Sequence, residues 1–400
     1  MSGAGIDAVL AVNAGSSSLK FALYPHDGGA ACLSGNIEGL EAGGAPLIRL
    51  RGAEGASTEA LAPGRGDSFE RALAALGGVL ARHAGDTRIS AIAHRVVHGG
   101  ERFAGSVVLD DEKLAYLATL APLAPLHQPH NLDGIHAFRR SYPALPQVGC
   151  FDTAFHATLP ETEQTFALPK ALRQAGIRRY GFHGLSYRYV TDRLLEQSPR
   201  ARARMLIAHL GNGASACALQ DGRSIATTMG FSALDGLMMG TRSGSVDPGV
   251  LMHLLSAGWS WKDLEHTLYR ESGLLGVSGL SSDMRTLHAS DAPDAVLAVD
   301  IFIHRLVREC GALTACLGGL DLLAFTGGIG EHDAALRQRT CERLAYLGVR
   351  IDPDANRAAT GAAIGAIHAR DSSAEVWVVP TDEGRVAAAD AMRLLSHAKQ

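Results

Sequence analysis

Apolar and polar residues alternate along the first half of the chain in a pattern that predicts an α/β domain. Runs typical of β-strands over Ala8–Val12 and Leu19–Tyr24 flank the turn Asn13–Ser18, which predicts a hairpin with a glycine- and serine-rich tip. Residues 28–66 predict weak antiparallel strands and loops. The other elements predicted in this half are helices over Ser68–His83, over Asp110–Leu120 and near Asn131–Ser141, and strands over Ile89–Val97 and Gln147–Phe151.

A similar order of elements begins again in the second half. Met205–Leu210 and Ala214–Leu219 flank a GNG turn and predict a second hairpin. Helices are predicted over Lys262–Arg270 and Ala295–Leu317, and the strand Leu322–Thr326 runs directly into GGIG. The two hairpins favour a duplicated α/β domain, although unrelated hairpins often share small turn residues.

Composition narrows the class of protein. A chain of 400 residues that is 46% hydrophobic and 20% charged fits a soluble globular protein of at least two domains. The net charge of -4, without a run rich in Lys or Arg, makes nucleic acid and anionic membranes poor partners. Six scattered cysteines without a CxxC pair indicate reduced thiols. Without a signal-like N-terminus or a long apolar run, we expect a cytoplasmic protein with no membrane span.

The segment Thr227–Pro248 is long, rich in glycine and serine and poor in charge, but it contains Arg242 between Gly240 and Gly244. So many small residues suit a backbone that must approach another group closely. A planar guanidinium in such a loop fits a carboxylate or a phosphate ligand. A surface loop with one solvated arginine is the alternative.

Arg95 lies in an apolar strand that enters the Gly-Gly turn of AHRVVHGGE. The two-residue period of a strand places Arg95 and Val97 on one face, which suits a carboxylate clamp beside an apolar wall. An arginine at a strand end that reaches solvent is the alternative. His94 and His98 are four residues apart, a spacing that suits a metal pair on a helix better than on a strand, so we interpret both as structural.

Two further side chains occupy places where ligands often bind. Asp152 follows the predicted strand Gln147–Phe151, and strand ends in α/β sheets are common ligand sites, although a helix N-cap is the alternative. His183 precedes Gly184 and is sterically open toward a ligand, although a lone histidine of this kind is more often structural.

Several glycine-bearing turns indicate a phosphate ligand. The first hairpin tip offers backbone N–H groups, with Lys20 as a point charge, but it lacks Walker spacing. The GGIGE segment follows a predicted strand and precedes a predicted helix, which suits a nucleotide. Near the end, PTDEG follows the predicted strand Val376–Val379, and a carboxylate of Asp382 or Glu383 is suited to Mg²⁺.

Together these segments resemble the acetate kinase family, carboxylate kinases of the superfamily that also contains sugar kinases, heat-shock 70 proteins and actin. The matching segments run in the family's order from about Ala8 to the last predicted helix, whereas residues 28–89 and 287–319 carry little of the resemblance. They are NAGSSSLKF, HRVVHGGE, APLHQPHN, FDTAFH, RRYGFHG, AHLGNG, GFSALDGLMMGTRSGSVDPG, SSDMR, FTGGIGE and PTDEG.

The resemblance implies two actin-like (ribonuclease H-like) α/β domains with an active-site cleft between them, and a homodimer. Residues 1–150 with 385–400 would form the N-terminal domain, completed by the C-terminal helix. Residues 151–384 would form the C-terminal domain, which binds the nucleotide and dimerises. The implied reaction is reversible phosphoryl transfer from ATP to acetate, giving acetyl phosphate and ADP, with Mg²⁺ and possible use of Mn²⁺.

The resemblance also implies catalytic roles. Arg95 and Arg242 would bind the acyl carboxylate and the transferring phosphoryl group, and His183 would stabilise the transition state. Asp152 matches the residue usually assigned as an acid/base. Acetate is already ionised at neutral pH, so we expect Asp152 instead to orient an arginine or the Mg²⁺-bound water.

The remaining implied site residues surround the metal, the acyl group and the nucleotide. Asn13 and Glu383 would position Mg²⁺. The acyl methyl group would be enclosed by Val97, Leu126, Phe182 and Ala233. The nucleotide would contact Lys20, His209, Leu210, Gly211, Asn212, Gly213, Asp283, Met284, Arg285, Gly328, Ile329, Gly330, Glu331 and His332.

Four positions depart from the family's pattern. Ala233 stands where Pro is common, which would loosen the acyl pocket toward propionate, since one methylene is worth roughly 1–3 kcal/mol in an apolar site. His332 stands where Asn is usual, so the base preference is open. Tyr187 replaces His and Asp235 replaces Glu, with no predicted effect.

Two alternative functions remain. One is a propionate or butyrate kinase of the same fold. The other is a nucleotide-gated switch or chaperone-like binding module, because actin-type domains also serve those roles. Arg95 and Arg242 favour the enzyme, since a nucleotide switch has no need of a carboxylate clamp.

Overall fold

The structure is a computed structural model that describes residues 6–15, 18–40, 46–52, 55–60, 68–83, 87–125 and 127–397. The described chain forms two compact units. The first comprises the residues up to Ala154 and those from Asp382 onward, and the second comprises Phe155–Thr381. Within the described chain, no helix is long and apolar enough to cross a membrane. All six cysteines are free.

The regular elements follow the predicted alternation of strands and helices. The described strands are β1 (Asp7–Ala14), β2 (Ser18–Pro25), β3 (Leu33–Glu38), β4 (Leu47–Gly52), β5 (Gly55–Ala60), β6 (Arg88–Val96), β7 (Val107–Val108), β8 (Gln147–Phe151), β9 (Arg204–Leu210), β10 (Ala214–Gln220), β11 (Arg223–Thr227), β12 (Leu322–Thr326), β13 (Gly365–Ala366) and β14 (Glu375–Val378). The helices are α1 (Ser68–His83), α2 (Asp111–Thr119), α3 (Gln128–Ser141), α4 (Glu161–Gln164), α5 (Lys170–Gln174), α6 (Gly184–Gln197), α7 (Pro248–Ser256), α8 (Trp261–Arg270), α9 (Gly273–Ser278), α10 (Met284–His288), α11 (Pro293–Leu317), α12 (Gly327–His332), α13 (Ala334–Arg343), α14 (Pro353–Ala358) and α15 (Glu383–His397).

The first unit is built on a mixed sheet whose described strands lie in the order β5-β4-β3-β2-β1-β6-β8-β7. Strands β1, β6 and β8 are parallel neighbours, and the other pairs are antiparallel. Apolar side chains of β1 and β2, including Leu10, Val12 and Leu19, pack with Leu76 of α1 in the core. This core fixes β1 and β6 side by side, so residues at their carboxyl ends lie at one edge of the sheet.

The second unit has a smaller sheet in the order β11-β10-β9-β12-β14-β13. Strands β9, β12 and β14 are parallel neighbours, and β9 pairs antiparallel with β10. Helix α6 covers one face of this sheet, where Val190 and Leu194 pack with Met205 and Ile207 of β9.

The two sheets repeat the same arrangement over five strands. In both, three consecutive antiparallel strands form one side, and the first of them is followed across the sheet by two parallel strands. The order β3-β2-β1-β6-β8 in the first unit therefore corresponds to β11-β10-β9-β12-β14 in the second. This correspondence confirms the duplication predicted from the two hairpins.

Candidate active site

Arg95 is held in a cluster of charged side chains in the first unit. It lies near the end of β6, and Asp152 follows the neighbouring parallel strand β8. Two hydrogen bonds join the pair, from Nε of Arg95 to Oδ1 of Asp152 at 3.1 Å and from Nη2 to Oδ2 at 2.6 Å. Glu383, the first residue of α15, places Oε2 3.3 Å from Nε of Arg95. The guanidinium is thus fixed in orientation by a two-point contact.

Burial and charge act against each other in this cluster. Burial alone would lower the pKa of Arg95, but Asp152 and Glu383 raise it, so the guanidinium stays charged. The Asp152 side chain is only 1% exposed. Its burial raises its pKa to about 6, against the attraction of Arg95, and the nearby Glu383 carboxylate pushes in the same direction as burial. With all three groups ionised, the cluster carries one net negative charge.

Two amide side chains of α3 hold the turn that follows Arg95, and sequence reasoning assigned neither of them a role. Asn131 accepts a hydrogen bond from the backbone N–H of Val97 at 3.0 Å and donates to the carbonyl of Ala14 at 2.8 Å. It therefore links the ends of β1 and β6. Gln128 accepts from the N–H of His98 at 3.2 Å. Both amides belong to the APLHQPHN segment, and its match to the family is the feature of the sequence that could have identified them.

The other predicted residues of the first unit lie around this edge of its sheet. Asn13 of β1 is directly opposite Lys20 of β2 in the hairpin register. Asn13 is half-buried and Lys20 is exposed. Val97 is buried directly after β6. Ser16, Ser17 and Leu126 lie outside the described residues.

His94 and His98 contact protein groups, in keeping with the structural roles predicted for them. Nε2 of His94 lies 2.5 Å from Oε1 of Gln147, and Nδ1 of His98 accepts from the N–H of Gly100 at 2.9 Å. Burial lowers the pKa of each ring to about 4. Both rings are therefore neutral at pH 7.

In the second unit, His183 and Arg242 converge on the GNG turn between β9 and β10. A methyl group built on Gly213 would lie 3.3 Å from Nε2 of His183 and 3.8 Å from Nη1 of Arg242. The two nitrogens therefore face the same small space above Gly213. A side chain there would occupy that space, so glycine leaves it open to a ligand.

His183 is fixed by its backbone and by two ring contacts. Its φ of 60° is a left-handed conformation that is uncommon for residues other than glycine, and it stands immediately before α6. Nδ1 lies 2.9 Å from Oγ of Ser215 on β10, and the ring stacks on His209 with centroids 4.3 Å apart. Because strain of this kind persists only when the surroundings enforce it, the orientation of the ring is a built feature of the site.

The loop that carries Arg242 folds back onto the GNG turn. The N–H of Gly240 donates to the carbonyl of Asn212 at 2.9 Å, and a methyl group at Gly240 would lie 1.9 Å from Oδ1 of Asn212. Nη1 of Arg242 donates to the carbonyl of Ala233 at 2.9 Å. The structure thus agrees with the close backbone approach predicted for this loop. Asp235, at a departure from the family's pattern, accepts from Ser245 at 2.6 Å within the same loop.

A cavity of about 880 Å³ opens beside the GNG turn within the second unit. Eight of the residues predicted to contact the nucleotide line it, together with five that sequence reasoning did not name. The eight are Gly211, Asn212, Asp283, Met284, Arg285, Gly328, Ile329 and His332. The five are Ser282, His288, Ala289, Asp333 and Ala334; the first belongs to the SSDMR segment, and the others follow the matching segments in sequence.

Other residues that were predicted to contact the nucleotide do not line the cavity and instead make contacts within the protein around it. The Glu331 carboxylate accepts from the N–H groups of Gly327 at 2.9 Å and Thr381 at 3.0 Å. His209 bonds to Ser186 at 2.8 Å, and Leu210 and Gly330 are buried. Among the described side chains, no group of three His, Cys, Asp or Glu is placed to bind a metal.

Comparisons with known proteins agree along nearly the whole chain. Residues 8–389 match the model described as the Acetokinase family. The chain is 50% identical to the acetate kinase of Rhodopseudomonas palustris over 396 residues, which cover 97% of this chain and 98% of that one.

Two solved structures have a closely similar fold. One is a propionate kinase from Francisella tularensis, with 36% identity and a TM-score of 0.88 over 96% of this chain and 98% of that one. The other is the Porphyromonas gingivalis acetate kinase, with 36% identity and a TM-score of 0.87 over 97% of this chain and all of that one. These matches confirm the predicted fold class, an α/β protein of two actin-like domains.

Proposed function

Because the chain belongs to the acetokinase family, we propose that it transfers the γ-phosphoryl group of ATP to acetate in a reversible reaction that gives acetyl phosphate and ADP. It is a phosphotransferase with a carboxyl group as acceptor. The observation that carries the proposal is the convergence of His183 and Arg242 on the space above Gly213, beside a cavity lined by Gly211 and Asn212.

The chemistry of phosphoryl transfer suits these groups. In the transition state, negative charge is spread over the three equatorial oxygens of the transferring group, so catalysis comes mainly from positioning and from preorganised donors. Arg242 supplies a permanent positive charge, and Nε2 of His183 lies close enough to the same space to hydrogen-bond a second oxygen. Gly213 keeps that space free of any side chain.

The cavity provides room for the nucleotide. Its volume of about 880 Å³ lies within the range of ligand pockets, on the order of 300–1,000 Å³. Since the reacting phosphorus must lie near Gly213, the phosphates would follow the GNG turn. The base would then lie farther along the cavity, where Met284 and Ile329 supply apolar contact.

Arg95 would bind the carboxylate of acetate in the first unit. The two-point contact with Asp152 supports our expectation that Asp152 orients an arginine rather than moving a proton. The neutral variant Asp152→Asn tests this role. It should lower kcat/KM for acetate, and near-full activity with unchanged Mg²⁺ affinity would contradict it.

Asn13 and Glu383 would hold Mg²⁺ in the first unit. Mg²⁺ sites in such enzymes commonly use one or two carboxylates, with nucleotide phosphates and water as the other ligands. The net negative charge of the Arg95 cluster and the single amide of Asn13 therefore fit this ion. When bound, Mg²⁺ would neutralise phosphate charge. Mn²⁺ also accepts such oxygen ligands.

A propionate kinase is the second candidate, favoured by the position of Ala233. The carbonyl of Ala233 accepts from Arg242, so this residue lies beside a proposed catalytic group. Its methyl side chain and the buried ring of Phe182 would form part of the acyl wall. If Ala233 leaves room for one more methylene, propionate should be used with a kcat/KM within about tenfold of acetate.

We also propose that the chain forms a homodimer. Helix α7 exposes Val250, Met252 and Leu255, and Trp259 and Trp261 are exposed near the start of α8. Large apolar side chains clustered on a surface often mark a protein interface. Light scattering of the purified chain tests this proposal, with Met252→Glu expected to lower the measured mass toward that of a monomer.

A hydroxamate assay for acyl phosphate tests the proposed reaction directly. The purified chain with ATP, Mg²⁺ and acetate should give acetyl hydroxamate, and Arg242→Met should lower that signal at least about a hundredfold. Parallel reactions with propionate and butyrate rank the acyl groups. Nucleotide binding without acyl phosphate from any of the three acids would favour the nucleotide-gated switch.

A further inference from the structure

Tyr187 lies in the first turn of α6, four residues after His183. Its side chain is fully buried, and its hydroxyl is hydrogen-bonded to Oγ of Ser215. Burial raises the pKa of this phenol well above its ordinary value, so Tyr187 is a neutral phenol with one proton to donate. Among the described residues, Ser215 is the one hydrogen-bond partner of that hydroxyl.

Ser215 connects Tyr187 to His183. Its hydroxyl oxygen lies 2.9 Å from Nδ1 of His183 and also bonds to the Tyr187 hydroxyl. Ser215 itself is buried on β10. The three side chains therefore form a chain of hydrogen bonds that ends at the ring whose Nε2 faces the space above Gly213.

The direction of these hydrogen bonds follows from counting protons. A buried phenol must donate its proton in a hydrogen bond, and the acceptor here is the hydroxyl oxygen of Ser215. Ser215 then has one proton of its own, and Nδ1 of His183 is the acceptor within reach. A ring that accepts at Nδ1 carries its hydrogen on Nε2.

We infer that Tyr187 is a positioning residue which, through Ser215, keeps His183 neutral with its hydrogen on Nε2, as a donor to the transferring phosphoryl group. This inference rests on the proposed function. The opposite arrangement, with hydrogen on Nδ1, would make the Ser215 oxygen accept from both His183 and Tyr187. The proton of the buried Ser215 hydroxyl would then have no acceptor among these side chains.

Two further side chains, Arg242 and His209, lie beside the His183 ring. Arg242 lies across the space above Gly213, and a neighbouring cation disfavours a charged imidazolium. His209 stacks on the ring, and its own Nδ1 is bonded to Ser186. A neutral His183 is therefore compatible with both of these neighbours.

Nitrogen chemical shifts of histidine measure the tautomer directly. In the full chain labelled with ¹⁵N in its imidazole rings, the His183 signals, assigned by their loss in His183→Gln, should show hydrogen on Nε2 at pH 7.5. In Tyr187→Phe the Ser215 oxygen loses the phenol that donates to it, so accepting from Nδ1–H becomes more favourable and the Nδ1–H form should become populated. We expect kcat to fall about fivefold while KM for ATP changes less than about twofold.

Two further variants separate this role from simple packing. Ser215→Ala removes the connecting hydroxyl and should change the His183 signals and kcat as Tyr187→Phe does. Tyr180→Phe removes another phenol of the same unit, one that donates to the Gly176 carbonyl at 3.0 Å, and should leave both unchanged. A thermal melt of each variant identifies any that fails to fold, and Ser215→Ala still tests the chain if Tyr187→Phe does not fold.

The proposal is overturned if wild-type His183 carries its hydrogen on Nδ1, or if folded Tyr187→Phe keeps both the wild-type tautomer and kcat. The tautomer readings, unlike kcat, are independent of the proposed reaction. If the chain makes no acyl phosphate while the tautomer is as expected, the proposed function fails and the hydrogen-bond chain stands.

Discussion

The two arginines proposed to act on the substrates are fixed by different means. Arg95 lies between Asp152 and Glu383, so its position depends on ion pairs with two carboxylates, of which that of Asp152 is buried. Arg242 is placed by a glycine-rich backbone and donates to the uncharged carbonyl of Ala233. Removing Arg95 should therefore harm the fold as well as the reaction, whereas removing Arg242 should harm mainly the reaction.

The largest expected effect is on stability, in Arg95→Met. This change leaves the buried Asp152 carboxylate without its two-point partner, which should cost about 3–5 kcal/mol in the free energy of unfolding. Arg242→Met should cost less than about 1 kcal/mol, because the Ala233 carbonyl that would lose its donor is uncharged. Urea unfolding followed by circular dichroism measures both. The double variant Arg95→Met with Asp152→Asn should recover part of the loss, and equal losses in the two single variants would contradict the comparison.

The next effect is on catalysis, in Gly213→Ala. The new methyl group would stand 3.3 Å from Nε2 of His183, in the space proposed for the phosphoryl group. We expect kcat to fall about a hundredfold, equivalent to about 2.7 kcal/mol. The Kd for ADP should change little, because ADP lacks the phosphoryl group that is proposed to occupy this space.

Gly365→Ala is the matched control, since a methyl group there makes ordinary contact with Ala359 at 3.9 Å. It should leave kcat and Kd unchanged. Wild-type kcat in Gly213→Ala would show that the space above the turn is not used in the reaction.

A smaller effect is expected from Arg242→Lys, which keeps the charge but loses the planar fork. We expect kcat/KM to fall at least about tenfold, about 1.4 kcal/mol. Arg204→Lys, at a surface pair with Asp321 remote from the cavity, serves as the control. Wild-type kinetics in Arg242→Lys would mean that a point charge is sufficient at this position.

The sequence predicted the framework well where a local pattern was enough. Strands β8 and β12 have the predicted bounds because each is a continuous apolar run between turns. Helix α6 was not predicted, since it begins immediately after the FHG motif and its apolar positions are interspersed with tyrosines and arginines. The motifs likewise identified residues that face the cavity and the space above Gly213.

What the sequence did not predict depends on contacts between distant segments. Asn131 joins two strand ends, and Ser215 joins Tyr187 to His183 from another element. Arg337 is fully buried and donates to carbonyl groups of α12 and to Asn356 of α14, which fixes one wall of the cavity. No periodicity or spacing distinguishes these side chains from exposed ones, because their partners are far away in sequence.

The smallest expected effect is the contribution of Asp152 to acid stability, measured against a larger acid loss that buried histidines cause in both units. Burial lowers the pKa of His94 and His98 in the first unit, and of His156 in the second, to about 4. The pKa of histidine in the unfolded chain is about 6.5. Between about pH 6.5 and 4, the unfolded chain therefore binds protons at these three rings, whereas the folded chain leaves them neutral. Stability is therefore lost as the pH falls from about 6.5 toward 4, by about 2 kcal/mol for each ring at pH 5.

The effect of Asp152 on acid stability has the opposite sign. The pKa of Asp152 is raised to about 6, so between pH 6 and 4 the folded state holds a proton that the unfolded state releases, and acidification from pH 7 to pH 5 returns about 1 kcal/mol. Asp152→Asn removes this compensation, and circular dichroism should show an acid loss greater by about that amount. The three tryptophans, Trp259, Trp261 and Trp377, all lie in the second unit, so their fluorescence should show the same acid loss as in the wild type. An unchanged acid response by circular dichroism would mean that the Asp152 carboxylate stays ionised down to pH 4, held by Arg95 more strongly than burial opposes it.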